Sequence, residues 1–350
     1  MGSIIFICHA VYEMCGGFKI REDIMAEIYL RDNRFIDDME SIVVPKLSKV
    51  KEMGYYNTRD GKRLYYEKFI SPEEKAVIVI SHGFCEFAEK FEEVIYYFFC
   101  MGYSVYIPEH RGHGKSDRDV DDLSKVYVEK FDEYVTDFVG FVDEIVKKER
   151  ADKKIVLYAH SMGGAIGALV LEQYPHLFNC AILTSPMLKM RYNGMPAIAA
   201  WFLKLYAKLF TVGKNYIPGQ KAFDGQREAD YGCCTCESRY EYIFRKREKN
   251  DRYRMNGATY GWSVAAMNAV KKLQRNVSKV DIPVLLFQAD NDTIVNNKGQ
   301  DRFAKKNDKV ILIRMPNSKH EIYGSDYNTI KWYYEIIWKF LDKHIGGNFK

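Results

Sequence analysis

A serine becomes a nucleophile at neutral pH only when a base can take its proton and the chain holds its hydroxyl exposed to a substrate. Ser161 lies in Ile155-Val-Leu-Tyr-Ala-His-Ser-Met-Gly-Gly164, where both conditions can be met. Ile155 to Tyr158 are apolar or aromatic, as a fully buried strand requires. Ala165, Ile166, Ala168, Leu169 and Val170 follow as a helical run. A strand that breaks sharply into a helix with a serine at the bend is a nucleophile elbow. The bend strains the serine backbone, so the residues two before and two after it must be small. Gly163 meets the second requirement, and Ala159, one methyl larger than glycine, stands at the first.

An acid and a base must follow. On this elbow they come after the serine in the order acid, then histidine, each in a loop at the C-terminal end of a strand. The apolar run Val284 to Phe287 leads into Gln288-Ala-Asp-Asn-Asp-Thr-Ile-Val295, and Val310 to Ile313 leads into Met315-Pro-Asn-Ser-Lys-His320-Glu-Ile. His320 is the candidate base. His176, the other histidine between Ser161 and the C-terminal helix, comes straight after the elbow helix, on the wrong side. Asp290 and Asp292 compete for the acid. Asp292, which precedes Thr-Ile-Val, is preferred, with Asp290 as a loop-capping residue.

A tetrahedral oxyanion needs two main-chain N–H donors. Met162, directly after the serine at the start of its helix, supplies one. Phe84 supplies the other from the loop Ser81-His-Gly-Phe84, where Gly83 lets the backbone turn inward. His82 and His160 beside these groups are read as facing the main chain. The glycine-rich stretch Glu109-His-Arg-Gly-His-Gly-Lys-Ser116 lacks the spacing of a nucleotide loop and reads as a turn packed beside the oxyanion loop.

The elements that must position these residues alternate along the chain. Tyr55 to Phe69 reads as a hairpin around Asp60-Gly61. Strands are expected at 76–80, 103–107, 155–158, 180–183, 284–287 and 310–313. Phe131, Tyr134, Val135, Phe138, Val142, Ile145 and Val146 recur at helical spacing, and a closing helix is expected over 330–341. Such alternation implies an α/β fold, with a mostly parallel sheet covered by helices on both faces. Residues 1–50 carry no strong pattern, though Ile24, Met25, Ile28 and Tyr29, with Phe35 and Ile36, fit a helix; they are read as an N-terminal extension. Core regions are expected at 51–186 and 265–350. Between them 187–264 breaks the rhythm and reads as a largely helical cap insertion.

At 350 residues, 47% hydrophobic and 28% charged, the chain has the composition of a soluble globular enzyme with ample core, which excludes disorder. The N-terminus lacks a basic n-region and a cleavage site, and its apolar run is too short to span a bilayer. Eight scattered cysteines do not form a disulfide framework, and Cys233, Cys234 and Cys236 have no second pair at zinc spacing, so no metal is expected. A glycan on the Asn291 sequon would sit beside Asp292. A cytoplasmic location follows most simply.

A net charge of +5 is too small to argue for nucleic acid. Yet residues 187–260 hold 14 Lys/Arg against 7 Asp/Glu, a surplus of seven, so the positive charge concentrates in the cap. That surplus reads either as a solvated helix face or as a surface for peripheral contact with anionic lipid headgroups.

As a set, His82-Gly83-Phe84, Arg111-Gly-His-Gly-Lys-Ser116, Ala159-His-Ser-Met-Gly-Gly-Ala165, Asp292-Thr-Ile-Val and His320-Glu-Ile-Tyr resemble the monoacylglycerol lipase and lysophospholipase branch of the α/β-hydrolases. Similarity to the bacterial lysophospholipases extends to Ser238-Arg-Tyr240, Gly257-Ala-Thr-Tyr-Gly-Trp262 and Phe287-Gln-Ala-Asp290. The resemblance spans about residues 55 to 345. It implies the α/β-hydrolase fold, a cap that receives one acyl chain, and ester hydrolysis through an acyl-enzyme with Ser161, Asp292 and His320, without a cofactor. The apolar cap helix around Trp201, Phe202 and Leu205 would contact the acyl chain, and the basic cap favours a phosphate-bearing headgroup.

Other functions compete. Some relatives are aminopeptidases, but gripping a substrate ammonium calls for an acidic cap, and this one is basic. A general short-chain esterase remains an alternative. A non-catalytic binding protein has no use for serine, acid and histidine together, and chemistry that needs an aspartate at the elbow is excluded by Ser161.

Overall fold

Two antiparallel strands, β1 (Lys51–Asn57) and β2 (Arg63–Phe69), open the sheet of the computed structural model, which describes residues 28–191 and 212–346. The turn between them is closed by main-chain hydrogen bonds from Thr58 to Lys62 and from Gly61 to Thr58, as Asp-Gly chemistry predicts. The strands that follow are β3 (Val77–Ser81), β4 (Ser104–Pro108), β5 (Lys125–Val126), β6 (Ile155–His160), β7 (Cys180–Thr184), β8 (Gly257–Ala258), β9 (Val284–Ala289) and β10 (Val310–Met315). Eight of them form one sheet in the order β1-β2-β4-β3-β6-β7-β9-β10, while β5 and β8 pair separately. From β4 to β10 every neighbour is parallel. Strands β3, β4, β6, β7 and β9 are buried along their whole length, as a sheet covered on both faces demands.

The helices that cover the sheet are α1 (Glu92–Cys100), α2 (Phe131–Phe141), α3 (Ser161–Gln173), α4 (Glu237–Lys249), α5 (Tyr260–Asn276), α6 (Asn297–Lys305) and α7 (Tyr327–Ile345). On one face Tyr134 and Phe138 of α2, Ile166 and Leu169 of α3 and Ala266 of α5 share a cluster with the inward residues of β3 and β6. On the other face Val94 and Phe98 of α1 pack with Tyr333 and Trp338 of α7. This is the mostly parallel sheet covered by helices on both faces that the alternation implies. Among the described residues no helix is long and apolar enough to cross a membrane.

The stretch 28–48 carries more structure than its sequence suggests. Phe35, Met39, Val43 and Leu47 are buried against α1 and α4, and the Trp338 indole donates to the Tyr29 hydroxyl at 2.9 Å. These four residues recur every fourth position, which would drift around an ordinary helix of 3.6 residues per turn. A π-helical turn at Met39–Val43 winds more residues per turn and keeps them on one face.

The basic surplus of the cap also has a structural destination. On α4, Arg239 pairs with Glu93 of α1 at 2.7 Å, and Lys246 pairs with Glu89 and Glu92 at 3.1 and 3.0 Å. Those cations point at acids on the core.

Candidate active site

Ser161 begins α3 directly after β6 with φ at +52°, a left-handed backbone that side-chain-bearing residues rarely adopt and that costs about 1–3 kcal/mol. The surrounding packing enforces it. A Cβ on Gly163 would lie 2.0 Å from the Ser81 carbonyl oxygen and 2.5 Å from that of His82, so the first turn of α3 rests on the end of β3. The alanine at 159 has its own accommodation: a Cβ on Gly167 would come within 3.3 Å of the Ala159 Cβ. One turn into the helix, glycine leaves room for the extra methyl in the strand.

The loops after β9 and β10 bring the other two residues to the serine. The His320 Nε2 lies 2.7 Å from the Ser161 Oγ, and its Nδ1 lies 2.7 Å from the Asp292 Oδ2. The second carboxylate oxygen of Asp292 accepts the main-chain N–H groups of Ile294 and Val295 at 2.8 and 2.9 Å. Burial disfavours the Asp292 charge. The His320 hydrogen bond and charge, with the two N–H groups, outweigh it and hold the carboxyl below its ordinary range. A carboxylate on Nδ1 selects the tautomer that leaves the Nε2 lone pair facing the serine hydroxyl. Arg191 braces the same loop by donating to the Asp292 carbonyl at 2.6 Å. Asp290 is exposed instead.

Met162 follows the serine directly, and Phe84 is linked to it through Trp262. Met162 is the second residue of α3, so its N–H is among the first four of a helix, which find no intrahelical acceptor, at the positive end of the helix dipole. The Phe84 ring packs on Trp262 with centroids 4.1 Å apart, and the Trp262 indole N–H points at the Met162 Sδ, 3.4 Å away. One tryptophan from α5 thus braces both segments. Trp201, Phe202 and Leu205 lie outside the described residues.

The neighbouring histidines do face the main chain. The His82 Nδ1–H donates to the Gly83 carbonyl at 2.8 Å and its Nε2 accepts the His110 N–H at 2.9 Å, while the His160 Nδ1 lies 3.2 Å from the Thr184 carbonyl. Burial pushes both rings down to about 4 and pushes His110 and His113 well down too. The glycine-rich stretch is a turn against the same loop. The Glu109 carboxylate takes the N–H groups of Ala88 and Lys115 at 2.9 and 2.5 Å, and Arg111 pairs with Asp137 and Glu133, both at 2.6 Å.

One participant was not read from the sequence. The Glu86 carboxylate, buried beneath the oxyanion loop, accepts the Gly83 N–H and the Tyr323 hydroxyl and pairs with Lys90 at 3.0 Å. Lys90 in turn reaches Glu321 at 2.6 Å. Burial opposes the Glu86 charge, but Lys90, the neighbouring His160 and His82 and the Tyr323 hydrogen bond together outweigh it and keep the carboxyl well below its ordinary range. An acid and a lysine four residues apart just beyond the His-Gly-Phe turn were the available signal. A cavity of about 500 Å³ opens between this loop and α4, walled by Phe84, Ile294, Glu321, Tyr240, Phe244 and Arg247.

Residues 72–326 match the Hydrolase_4 family, described as serine aminopeptidase, S33. The chain belongs to that family. The hydrolase is 28% identical over 277 residues to the probable lysophospholipase L2 of Haemophilus influenzae, covering 77% of this chain and 85% of that one. It is 26% identical over 262 residues to the mouse monoglyceride lipase, covering 73% and 78%. Among solved structures, a soluble variant of monoglyceride lipase from Saccharomyces cerevisiae in complex with a substrate analog shares the fold, with a TM-score of 0.68 at 19% identity over 84% of this chain and 95% of that one. The hydrolase thus has the α/β-hydrolase fold, and its relatives carry the names lysophospholipase and monoglyceride lipase.

Proposed function

We propose that the chain is a serine ester hydrolase that cleaves single-acyl-chain lipids, a lysophospholipid or a monoacylglycerol, through an acyl-enzyme. The observation that carries this reading is the pair of 2.7 Å hydrogen bonds that put Ser161, His320 and Asp292 in line. The lysophospholipase and monoglyceride lipase names of the relatives supply the substrate class.

In this mechanism the His320 Nε2 takes the Ser161 proton as Oγ attacks the ester carbonyl. The N–H groups of Phe84 and Met162 hold the oxyanion, and each such donor contributes about 3 kcal/mol to the barrier reduction. The imidazolium, stabilised by Asp292, then returns the proton to the leaving alcohol as the tetrahedral species collapses to an acyl-serine. Water enters, loses a proton to His320 and attacks the acyl carbonyl; the imidazolium then returns that proton to the Ser161 Oγ as the fatty acid leaves. We assign the acyl chain to the segment bearing Trp201, Phe202 and Leu205, and the alcohol half to the cavity of mixed polarity beside Phe84.

Labelling with a fluorophosphonate tests the nucleophile, followed by assays of wild type and Ser161→Ala on lysophosphatidylcholine, monoacylglycerol, aryl esters and amino-acid arylamides. The expected result is Ser161 labelling and Ser161-dependent cleavage of the lipids. Cleavage of arylamides without esters would turn the reading to the peptidase named in the family description. No labelling of Ser161 would remove both.

A further inference from the structure

We propose that Arg247 forms an anion subsite in the cavity beside Phe84 that holds the phosphate of a glycerophosphate-type leaving group. This rests on the ester-hydrolase reading above and names the headgroup chemistry of the same site.

Among the described residues three cations line the cavity: Lys90, Lys221 and Arg247. Two are already neutralised. Lys90 sits between Glu86 at 3.0 Å and Glu321 at 2.6 Å, and Lys221 pairs with Asp224 at 2.5 Å. Arg247 is held only by neutral groups. Its Nη2 donates to the Met255 carbonyl at 2.9 Å and to the Asn256 Oδ1 at 3.1 Å, and its guanidinium stacks 4.4 Å over the Phe223 ring. Its Nε is enclosed with no hydrogen-bond partner, and among the described residues no carboxylate forms an ion pair with it. A guanidinium on a cavity wall with no counter-charge among the described residues favours an anionic ligand.

The direction in which this charge acts fits the leaving group. Burial pushes the thiol of Cys85, the residue after Phe84, up to about 12, and the Arg247 charge works the other way. Arg247 therefore acts on the segment beside Phe84, on the side of the cavity where the alcohol half is proposed to sit. Of the acids on the wall, Glu321 is taken up by Lys90 and by the Cys234 thiol, and Glu228 lies against Gly232. Planar guanidinium donors already fixed by neighbours match phosphate oxygens well.

The experiment compares kcat/KM on lysophosphatidylcholine with kcat/KM on a monoacylglycerol of the same chain, in wild type, Arg247→Gln and Arg247→Lys. The ratio is expected to fall about tenfold in Arg247→Gln, the loss of one charge-assisted contact, and to recover partly in Arg247→Lys. A ratio that stays within twofold in folded Arg247→Gln overturns the proposal. A second arm needs no variant: inhibition of wild-type aryl-ester hydrolysis by sn-glycerol 3-phosphate, by inorganic phosphate and by glycerol. Stronger inhibition by glycerol 3-phosphate than by the other two supports a headgroup subsite. Equal inhibition by both phosphates supports the subsite and assigns it to free phosphate, and inhibition by neither overturns it. If wild type cleaves the aryl ester but neither lipid, the lipid reading fails, and the inhibition arm still decides whether the cavity holds an anion subsite.

Discussion

The carboxylate of Glu86 takes the main-chain N–H of Gly83, the residue before Phe84, the proposed oxyanion donor. It also takes the Tyr323 hydroxyl at 2.5 Å, and Lys90 extends the network to Glu321, the residue after His320. The loop that would hold the oxyanion and the loop that carries the base therefore share one buried set of charges. In Glu86→Gln the amide has one acceptor oxygen and no charge for Lys90, so the Gly83–Phe84 segment loses its anchor. Full loss of an oxyanion donor costs about a hundredfold to a thousandfold. A displaced donor should cost less, about tenfold to a hundredfold in kcat, with KM within about threefold. Steady-state kinetics on an aryl ester, with circular dichroism to confirm folding, would sink this if kcat matched wild type.

Substitutions in the Ser161 line should separate by role. Ser161→Ala removes the nucleophile and is expected to lower turnover about a millionfold, and His320→Ala by a similar amount. Asp292→Asn keeps the shape but can present an N–H to His320 and stabilise the wrong tautomer, for about a ten-thousandfold loss in kcat. Asp290→Asn, on an exposed residue two positions away, should stay within about threefold. Parallel burst and steady-state assays of the four variants check this. A larger loss in Asp290→Asn than in Asp292→Asn would reverse the assignment of the acid.

The site was legible in the sequence because its parts obey local rules that leave marks. A buried strand, a small residue at 163 and a helix follow one another without interruption, and the acid and histidine each end an apolar strand. The long-range partners left weaker marks. Nothing near Ala159 says that Gly167, a turn later, makes room for its methyl, and nothing near Gly83 says that Glu86 folds back on it rather than facing solvent. The stretch 28–48 was obscured for another reason: its four-residue stripe of Phe35, Met39, Val43 and Leu47 matches neither a strand nor an ideal helix until the π-turn is known. The charge of the cap was countable, but its targets on α1 were not, since ion pairs across the fold carry no sequence signature.

Four buried histidines should make the fold acid-sensitive. His82 and His160 are pushed down to about 4, and His110 and His113 are pushed well down as well, so all four rings stay neutral where unfolded histidine, near about 6.5, takes up a proton. Between those values the unfolded state binds more protons, and stability falls as pH drops, by up to about 1.4 kcal/mol per pH unit for each ring. Glu109 and Glu172 act in the opposite sense, since burial pushes them up to about 7 and about 8 and the folded state holds their protons. Near neutrality the two sets offset. From pH 6 towards pH 4.5 about two rings' worth remains, about 3 kcal/mol per pH unit. Urea midpoints at pH 7, 6 and 5 should be similar for the first two and clearly lower at the third, and a midpoint rising at pH 5 would contradict the argument.

Arg239 should prove the most sensitive position outside the site. Its guanidinium, 3% exposed, pairs with Glu93 at 2.7 Å, with Asp32 at 2.5 Å, and with the Leu30 carbonyl at 3.2 Å, and it stacks over Phe35. It thereby joins α4 to α1 and to the stretch 28–48. The Arg239–Glu93 contact is buried on both sides, so Arg239→Ala leaves the Glu93 carboxylate enclosed and unpaired, at a cost of about 3–5 kcal/mol. Asp32 is 39% exposed, and water can replace much of its contact. Asp32→Asn should therefore cost about 1 kcal/mol or less. Arg239→Met combined with Glu93→Leu removes both buried charges and should recover most of the loss. Chemical denaturation of the single and double variants closes the cycle. If the double variant were as unstable as Arg239→Ala, packing of the arginine stem rather than the stranded charge would be what holds α4 in place.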